Sequence, residues 1–266
     1  MLIVGELINT SRKAIKEAVA NKDENYIRDI AKKQAEAGAH YIDVNCGTMV
    51  DNEPEVMEWL VKLVKDVVDV PLCIDSPNPL ALAAGLELAD NGQPMINSIT
   101  AEKERYSTIL PLVLKYKAKV VALCMDDTGM PDTAEQRIAI VRKLVADLTA
   151  AGAPEDDIYF DPLVKPVSTS DQAGMEVLET LRFIKDEYPN VHIICGLSNI
   201  GFGLPNRKTL NQVFMIQTMT AGMDSYILDP LDKTMMGFLY ASMALLGKDP
   251  YCVNYLKAHR RGLFQG

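Results

Sequence analysis

Eight short apolar runs in this chain each close on a carboxylate or an amide: Glu6, Asp43, Asp75, Asn97, Asp126, Asp161, Asn199 and Asp229. An ionised aspartate only accepts hydrogen bonds, whereas asparagine both donates and accepts. Alternating the two types suits a flat ligand with alternating N–H and C=O groups, such as a 2-amino-4-oxo-pyrimidine. A carboxylate can grip its 2-amino and N3–H groups together while an amide pairs with the remaining edge. A lone aspartate after a strand is more often the N-cap of the next helix. That reading is kept for Asp126, Asp127 and Asp229. Eight polar strand ends together are harder to explain as caps, because a cap sits beside the helix and not at the strand end.

The runs predict strands near 2–6, 40–45, 71–75, 94–97, 119–125, 157–161, 191–198 and 224–229. They are short and rich in Val and Ile, as buried parallel strands are. Helical spacing fills the gaps. Ile27, Ile30, Ala31, Gln34 and Ala35 share one stripe, and Val56, Trp59, Leu60, Leu63, Val64 and Val67 another. Ile138, Val141, Leu144, Val145 and Leu148 make a third. Gly38, Gly92 and Gly152 are read as helix ends, and Pro54, Pro79 and Pro154 as starts of helices or turns. A helix is expected after every strand, with a last short one near 250–258. Strict alternation of strand and helix implies a parallel sheet. No Gly-x-Gly-x-x-Gly follows the first strand, and the polar ends occur on all eight strands. Both points favour a closed (β/α)8 TIM barrel, one domain over 1–266, against an open doubly wound sheet. In a barrel all eight ends converge on one face around one pocket.

That geometry excludes much chemistry. The chain has three histidines. His40 and His192 fall at strand starts, on the far face, and His259 lies in a basic tail. Ser-His-Asp hydrolysis and a histidine-bound metal are therefore not expected. Neither a Gly-x-Ser-x-Gly elbow nor a P-loop occurs. The five cysteines form no Cys-x-x-Cys pair and read as reduced cytosolic thiols, so no metal site is expected. The glycines between Gly196 and Gly203 could cradle a phosphate or let backbone approach a planar ring, and the nearest bases are Arg207 and Lys208. The methionines from Met215 to Met243 read as core filler. The net charge of −9 argues against nucleic acid. No signal peptide and no membrane-spanning segment are expected.

As an ordered set, Gly5-Glu6-Leu7-Ile8-Asn9, Asp43-Val44-Asn45, Asp75-Ser76, Ile96-Asn97-Ser98, Gly129-Met130-Pro131, Asp161-Pro162-Leu163 and Gly196-Leu197-Ser198-Asn199 resemble the pterin-binding methyltransferases. The resemblance is strongest to methyltetrahydrofolate:corrinoid protein methyltransferases and spans essentially the whole chain. It implies a homodimeric (β/α)8 barrel that binds tetrahydrofolate at its top face. By the same resemblance Asp75, Asn97 and Asp161 hold the pterin edge, and Asn199 is the mobile amide beside N5. Glu6, Asp43, Gly196, Ser198 and Arg207 match further positions around the folate pocket.

The corrinoid (cobalamin) is expected on a separate protein, because this chain has no Asp-x-His-x-x-Gly motif. Two departures stand out. Phe202 occupies a position where members of the family carry an amide residue, and Asp126-Asp127 replaces a more basic pair. Both tilt the expected direction toward taking methyl from a methylated corrinoid protein and forming 5-methyltetrahydrofolate. The alternatives are the reverse transfer to a corrinoid iron–sulfur protein, a dihydropteroate synthase, or a non-catalytic folate-binding subunit.

Overall fold

The computed structural model describes residues 1–264. Eight parallel strands lie inside a shell of helices. The strands are β1 (Leu2–Asn9), β2 (Tyr41–Asn45), β3 (Leu72–Asp75), β4 (Met95–Ile99), β5 (Lys119–Leu123), β6 (Ile158–Asp161), β7 (His192–Ile193) and β8 (Ser225–Leu228). Each strand pairs with its sequence neighbours, and β1 also pairs with β8. A bridge between Gly196 and Ile227 closes the ring, with Ile227 N–H donating to Cys195 O at 3.0 Å. The expected barrel is therefore what the chain forms.

The helices are α1 (Lys13–Ala20), α2 (Glu24–Ala37), α3 (Glu53–Lys65), α4 (Pro79–Leu86), α5 (Lys103–Tyr116), α6 (Ala134–Ala150), α7 (Ala173–Glu187), α8 (Arg207–Thr220), α9 (Lys233–Leu245) and α10 (Val253–Arg260). Local sequence sets their limits. Thr133 caps α6 in a capping box with Gln136, and Gly38 ends α2 in the left-handed conformation at φ 107°. Several details differ from the sequence reading. Two helices, not one, follow β1. Gly92 shapes the turn into β4 at φ 116° and ends no helix, since α4 stops at Leu86. The seventh strand is much shorter than 191–198, because Leu197–Asn199 tightens into a 3-10 turn. The aspartates read as helix caps also act otherwise. Asp232 caps α9. Asp126 and Asp229 fold back onto the N–H groups of Thr128 and Leu231, and Asp127 accepts from Lys103 N–H at the start of α5.

Strand side chains alternate between two faces. Outward residues such as Ile42, Ile74, Ile96, Val120 and Phe160 pack against the helices in one large apolar cluster. Inward residues form a separate plug of Val4, Tyr41, Cys73, Met95, Val121, Tyr159 and Ile194. Each fully buried aliphatic side chain here contributes about 2 kcal/mol. On β3, β4 and β6 the next inward position above the plug is polar: Asp75 above Cys73, Asn97 above Met95 and Asp161 above Tyr159. At the opposite end His192 lies between Asp224 and Asp156, at 3.0 and 3.1 Å.

Strand β1 breaks the alternation once. Gly5 pairs with Ile42, but Ile8 pairs with Val44, so β1 carries one extra residue. The bulge turns both Glu6 and Asn9 inward, whereas a regular strand would send Asn9 outward. Leu7 N–H, displaced from the ladder, donates to the buried Gln34 Oε1 at 2.9 Å. A Cβ on Gly5 would stand 2.5 Å from that same oxygen. Gly5→Ala should destabilise the protein by about 2 kcal/mol through this overlap. Chemical denaturation checks it, and a change below about 0.5 kcal/mol would show that Gln34 yields freely.

Candidate active site

The polar strand ends converge on a cavity of about 480 Å³ at the C-terminal mouth of the barrel. That size suits a small organic ligand. Glu6, Asp43, Asp75, Asn97, Asp161, Gly196, Ser198 and Asn199 all line it, together with Asn9, Ser11, Arg12 and Ile227. Of the residues matched to the folate pocket Arg207 does not, and of the eight polar strand ends Asp126 and Asp229 do not: Asp126 lines a separate pocket with Met130 and Lys143, and Asp229 an adjoining compartment. Arg207 begins α8, and its guanidinium donates to Ser198 O at 2.5 Å and stands 5.6 Å from the Phe202 ring centre. Arg207 thus braces the 3-10 turn that carries Asn199. Phe202 itself is 61% exposed beside the mouth.

One wall is set by register. Asn45 pairs with Asp75, and Asp75 with Asn97, so the three stand at one level on adjacent strands. Asn45 Nδ2 donates to Asp75 Oδ2 at 2.8 Å while its Oδ1 accepts Gly47 N–H at 3.0 Å. Asn45 is thereby fixed and holds one oxygen of Asp75. Asp161 stands on another wall and accepts from Leu163 N–H at 2.8 Å. Asn199 is exposed on the turn after β7. Asp43 lies one level deeper, 2% exposed, and its Oδ1 has no hydrogen-bond partner.

Burial governs the charges. It pushes the carboxyl groups of Asp75 and Asp161 up to about 6. For Asp75 the hydrogen bond from Asn45 and the charge of Arg105 oppose this rise. Asp43 is driven well above the usual carboxylate range by complete burial and then by the Asp75 charge, which favours its neutral form. Glu6 is also raised by burial, against the pull of Arg12 Nη2 at 2.6 Å.

A smaller compartment of about 210 Å³ adjoins the cavity and shares Glu6, Arg12, Ser198 and Ile227 with it. Asp229, Asp232, Lys208 and Asn211 complete its polar lining, and Lys208 pairs with Asp232 at 3.1 Å. Among the described residues no three His, Cys, Asp or Glu side chains are grouped to hold a metal ion, and no helix is long and apolar enough to cross a membrane.

Sequence reasoning missed Ser11 and Arg12, which lie past the end of β1. Asn9 sat within a recognised segment, but its inward direction depends on the bulge, and nothing in the local pattern announces that.

Comparison with known proteins gives a consistent picture. The sequence signature of the family described as pterin binding enzyme matches residues 5–229. A methylcorrinoid:tetrahydrofolate methyltransferase of Eubacterium limosum is 39% identical over 264 residues, covering 98% of this chain and 97% of that protein. Methionine synthase of Mycobacterium tuberculosis is 33% identical over 240 residues, 85% of this chain but 20% of the longer enzyme. Among solved structures, dihydropteroate synthase of Yersinia pestis superposes with a TM-score of 0.67 at 16% identity, covering 92% of this chain and 93% of that one. The enzyme of the same name from Xanthomonas albilineans gives 0.67 at 16% identity, covering 92% of each chain. At that identity the two structures speak for the shared fold alone.

The raised carboxyl groups have a consequence for stability. A group that holds its proton more tightly when folded supports the fold below its ordinary value of 3.8 and opposes it as pH rises through about 6. Asp75→Asn should therefore stabilise the protein by about 2 kcal/mol at pH 8, with the gain vanishing below pH 4. Thermal melts at both pH values check this. An equal shift at both would contradict the burial account.

Proposed function

The chain belongs to the pterin-binding enzyme family, and from that premise we propose that it transfers a methyl group between a methylated corrinoid protein and N5 of tetrahydrofolate, in the direction that forms 5-methyltetrahydrofolate. The observation that carries this reading is the wall on which Asp75 and Asn97 stand side by side, facing the same cavity as Asp161 and Asn199. Ionised Asp75 can accept two parallel N–H bonds from the 2-amino and N3–H groups of a pterin. The Asn97 amide can both donate to and accept from the adjoining edge. The near full-length likeness to a methylcorrinoid:tetrahydrofolate methyltransferase supports the same substrates.

In this reading Asp75, Asn97 and Asp161 fix the ring, and Asn199 orients N5 toward the open mouth. The lone pair of N5 attacks the methyl carbon. The carbon–cobalt bond breaks with its electron pair left on cobalt, and the N5 proton is released to solvent. Asn199 needs no acidity for this role, because an amide dipole that steers the lone pair is sufficient. The corrinoid enters as a substrate carried by another protein. His40 and His192 lie outside the cavity, and the chain has no Asp-x-His-x-x-Gly segment. We further assign a cytosolic homodimer, which the exposed apolar Phe238, Leu245, Tyr251 and Leu256 of the α9–α10 region would favour.

Dihydropteroate synthesis fits less well, because it must accommodate a pyrophosphate. The adjoining compartment carries Glu6, Asp229 and Asp232, and its two cations are already held by carboxylates.

A spectrophotometric assay with methylcobalamin and tetrahydrofolate tests the proposal. Loss of the methylcobalamin band that depends on this protein is expected. Silence in this and the reverse assay, both with free cobalamin and with corrinoid protein, would contradict it. Asn199→Ala should slow transfer by roughly a hundredfold while changing tetrahydrofolate affinity only a few-fold. Comparable losses in both would remove Asn199 from the transition state.

A further inference from the structure

We infer that Arg105 is a positioning residue for the pterin wall, tying the ends of β3 and β4 together so that Asp75 and Asn97 face one ligand edge at a fixed spacing. The inference rests on the pterin-binding reading above. Arg105 lies in the first turn of α5, outside the cavity. Its Nη2 donates to Ser76 O at 2.9 Å and to Ser98 O at 2.7 Å, and its Nε donates to Ser98 O at 3.1 Å. Its Nη1 donates to Pro77 O. Ser76 and Ser98 are the residues immediately after Asp75 and Asn97. One planar guanidinium therefore ties the residue just after β3 to the penultimate residue of β4. A lysine ammonium has no such fork.

The same device recurs beside the third pterin residue. Arg137 of α6, 1% exposed, donates through Nε to Pro162 O at 2.7 Å and through Nη2 to Leu163 O at 3.3 Å. Those are the two residues after Asp161. Neither arginine is bonded to a carboxylate; both spend their donors on backbone carbonyls, Arg137 also on Asp132 O before α6 at 3.3 Å. A guanidinium with no bound counter-ion leaves its charge free to act on its surroundings, and for Arg105 the foremost group it acts on is Asp75.

This separates positioning from mere fold maintenance. Asp75 is faced by Asp43 from β2, Glu53 from α3, Arg105 from α5, the Asn45 amide, and the thiols of Cys46 and Cys73. Arg105 is the cation in that set and lowers the Asp75 titration, while Glu53 raises it. Removing the guanidinium moves Asp75 upward from about 6. Pterin binding needs the ionised form, so its acid limb should move upward as well.

Calorimetry with tetrahydrofolate between about pH 5 and pH 9, on the intact protein, tests this against Arg105→Gln and Arg105→Lys. Arg105→Gln should bind at least about tenfold more weakly at neutral pH, with the acid limb raised by about one unit. Arg105→Lys keeps the charge but loses the fork. In the methylcobalamin assay it should raise KM for tetrahydrofolate about tenfold with kcat within about twofold, and in calorimetry its acid limb should stay unmoved. An unmoved limb in Arg105→Gln, or, should that variant not fold, an unchanged KM in Arg105→Lys, overturns the inference. Absence of binding by the unaltered protein would instead overturn the pterin reading itself.

Discussion

Everything at the mouth of this barrel depends on the strict two-residue alternation of strand side chains. Once Val4, Cys73, Met95, Val121, Tyr159 and Ile194 are committed to the interior plug, the next inward positions are fixed without further choice. Those positions are Glu6, Asp75, Asn97, Leu123, Asp161 and Gly196. A one-residue slip in β1, β3, β4 or β6 would bury its polar side chain among the helices and turn an outward-facing residue toward the cavity. The apolar cost of that slip is several kcal/mol per strand, so the core specifies the register, and the register places the site. The single bulge in β1 is the exception. Gln34 and the missing side chain of Gly5 hold it, and it adds a second inward polar residue to that strand.

The plug also sets the electrostatics. It closes the floor of the cavity with apolar groups, so the carboxylates directly above it are deprived of water. Asp75 and Asp161 are both raised for that reason first, and so is Asp43, one level deeper. Buried carboxylates of this kind gain when a ligand supplies N–H donors.

Much of this was legible in the sequence because the relevant signals are local. Asp75, Asn97 and Asp161 each end an apolar run, and alternation alone turns all three to the same side. The barrel followed from eight such runs divided by helical stripes. Other features required contacts between distant segments. Arg105 and Arg137 carry no local signal in the sequence, since their roles depend on backbone carbonyls of neighbouring strand ends, Ser76 for Arg105 and Pro162 for Arg137. Arg207 looked like a pocket residue, yet it supports the turn beneath Asn199 from behind. The aspartates of the fifth and eighth loops looked like helix caps, but Thr133 and Asp232 are better placed for that work. Here, composition suggests the role but only three-dimensional placement assigns it.

In the proposed function the inward polar level above the plug binds the pterin. Calorimetric titration of tetrahydrofolate into Asp75→Ala and Asp229→Ala tests it most directly. Asp75 lines the main cavity, whereas Asp229 lines only the adjoining compartment. The account predicts that Asp75→Ala loses at least about a hundredfold in affinity, through two forfeited charge-assisted hydrogen bonds, while Asp229→Ala binds within a few-fold of the unaltered protein. Equal affinity in Asp75→Ala and the unaltered protein would contradict it.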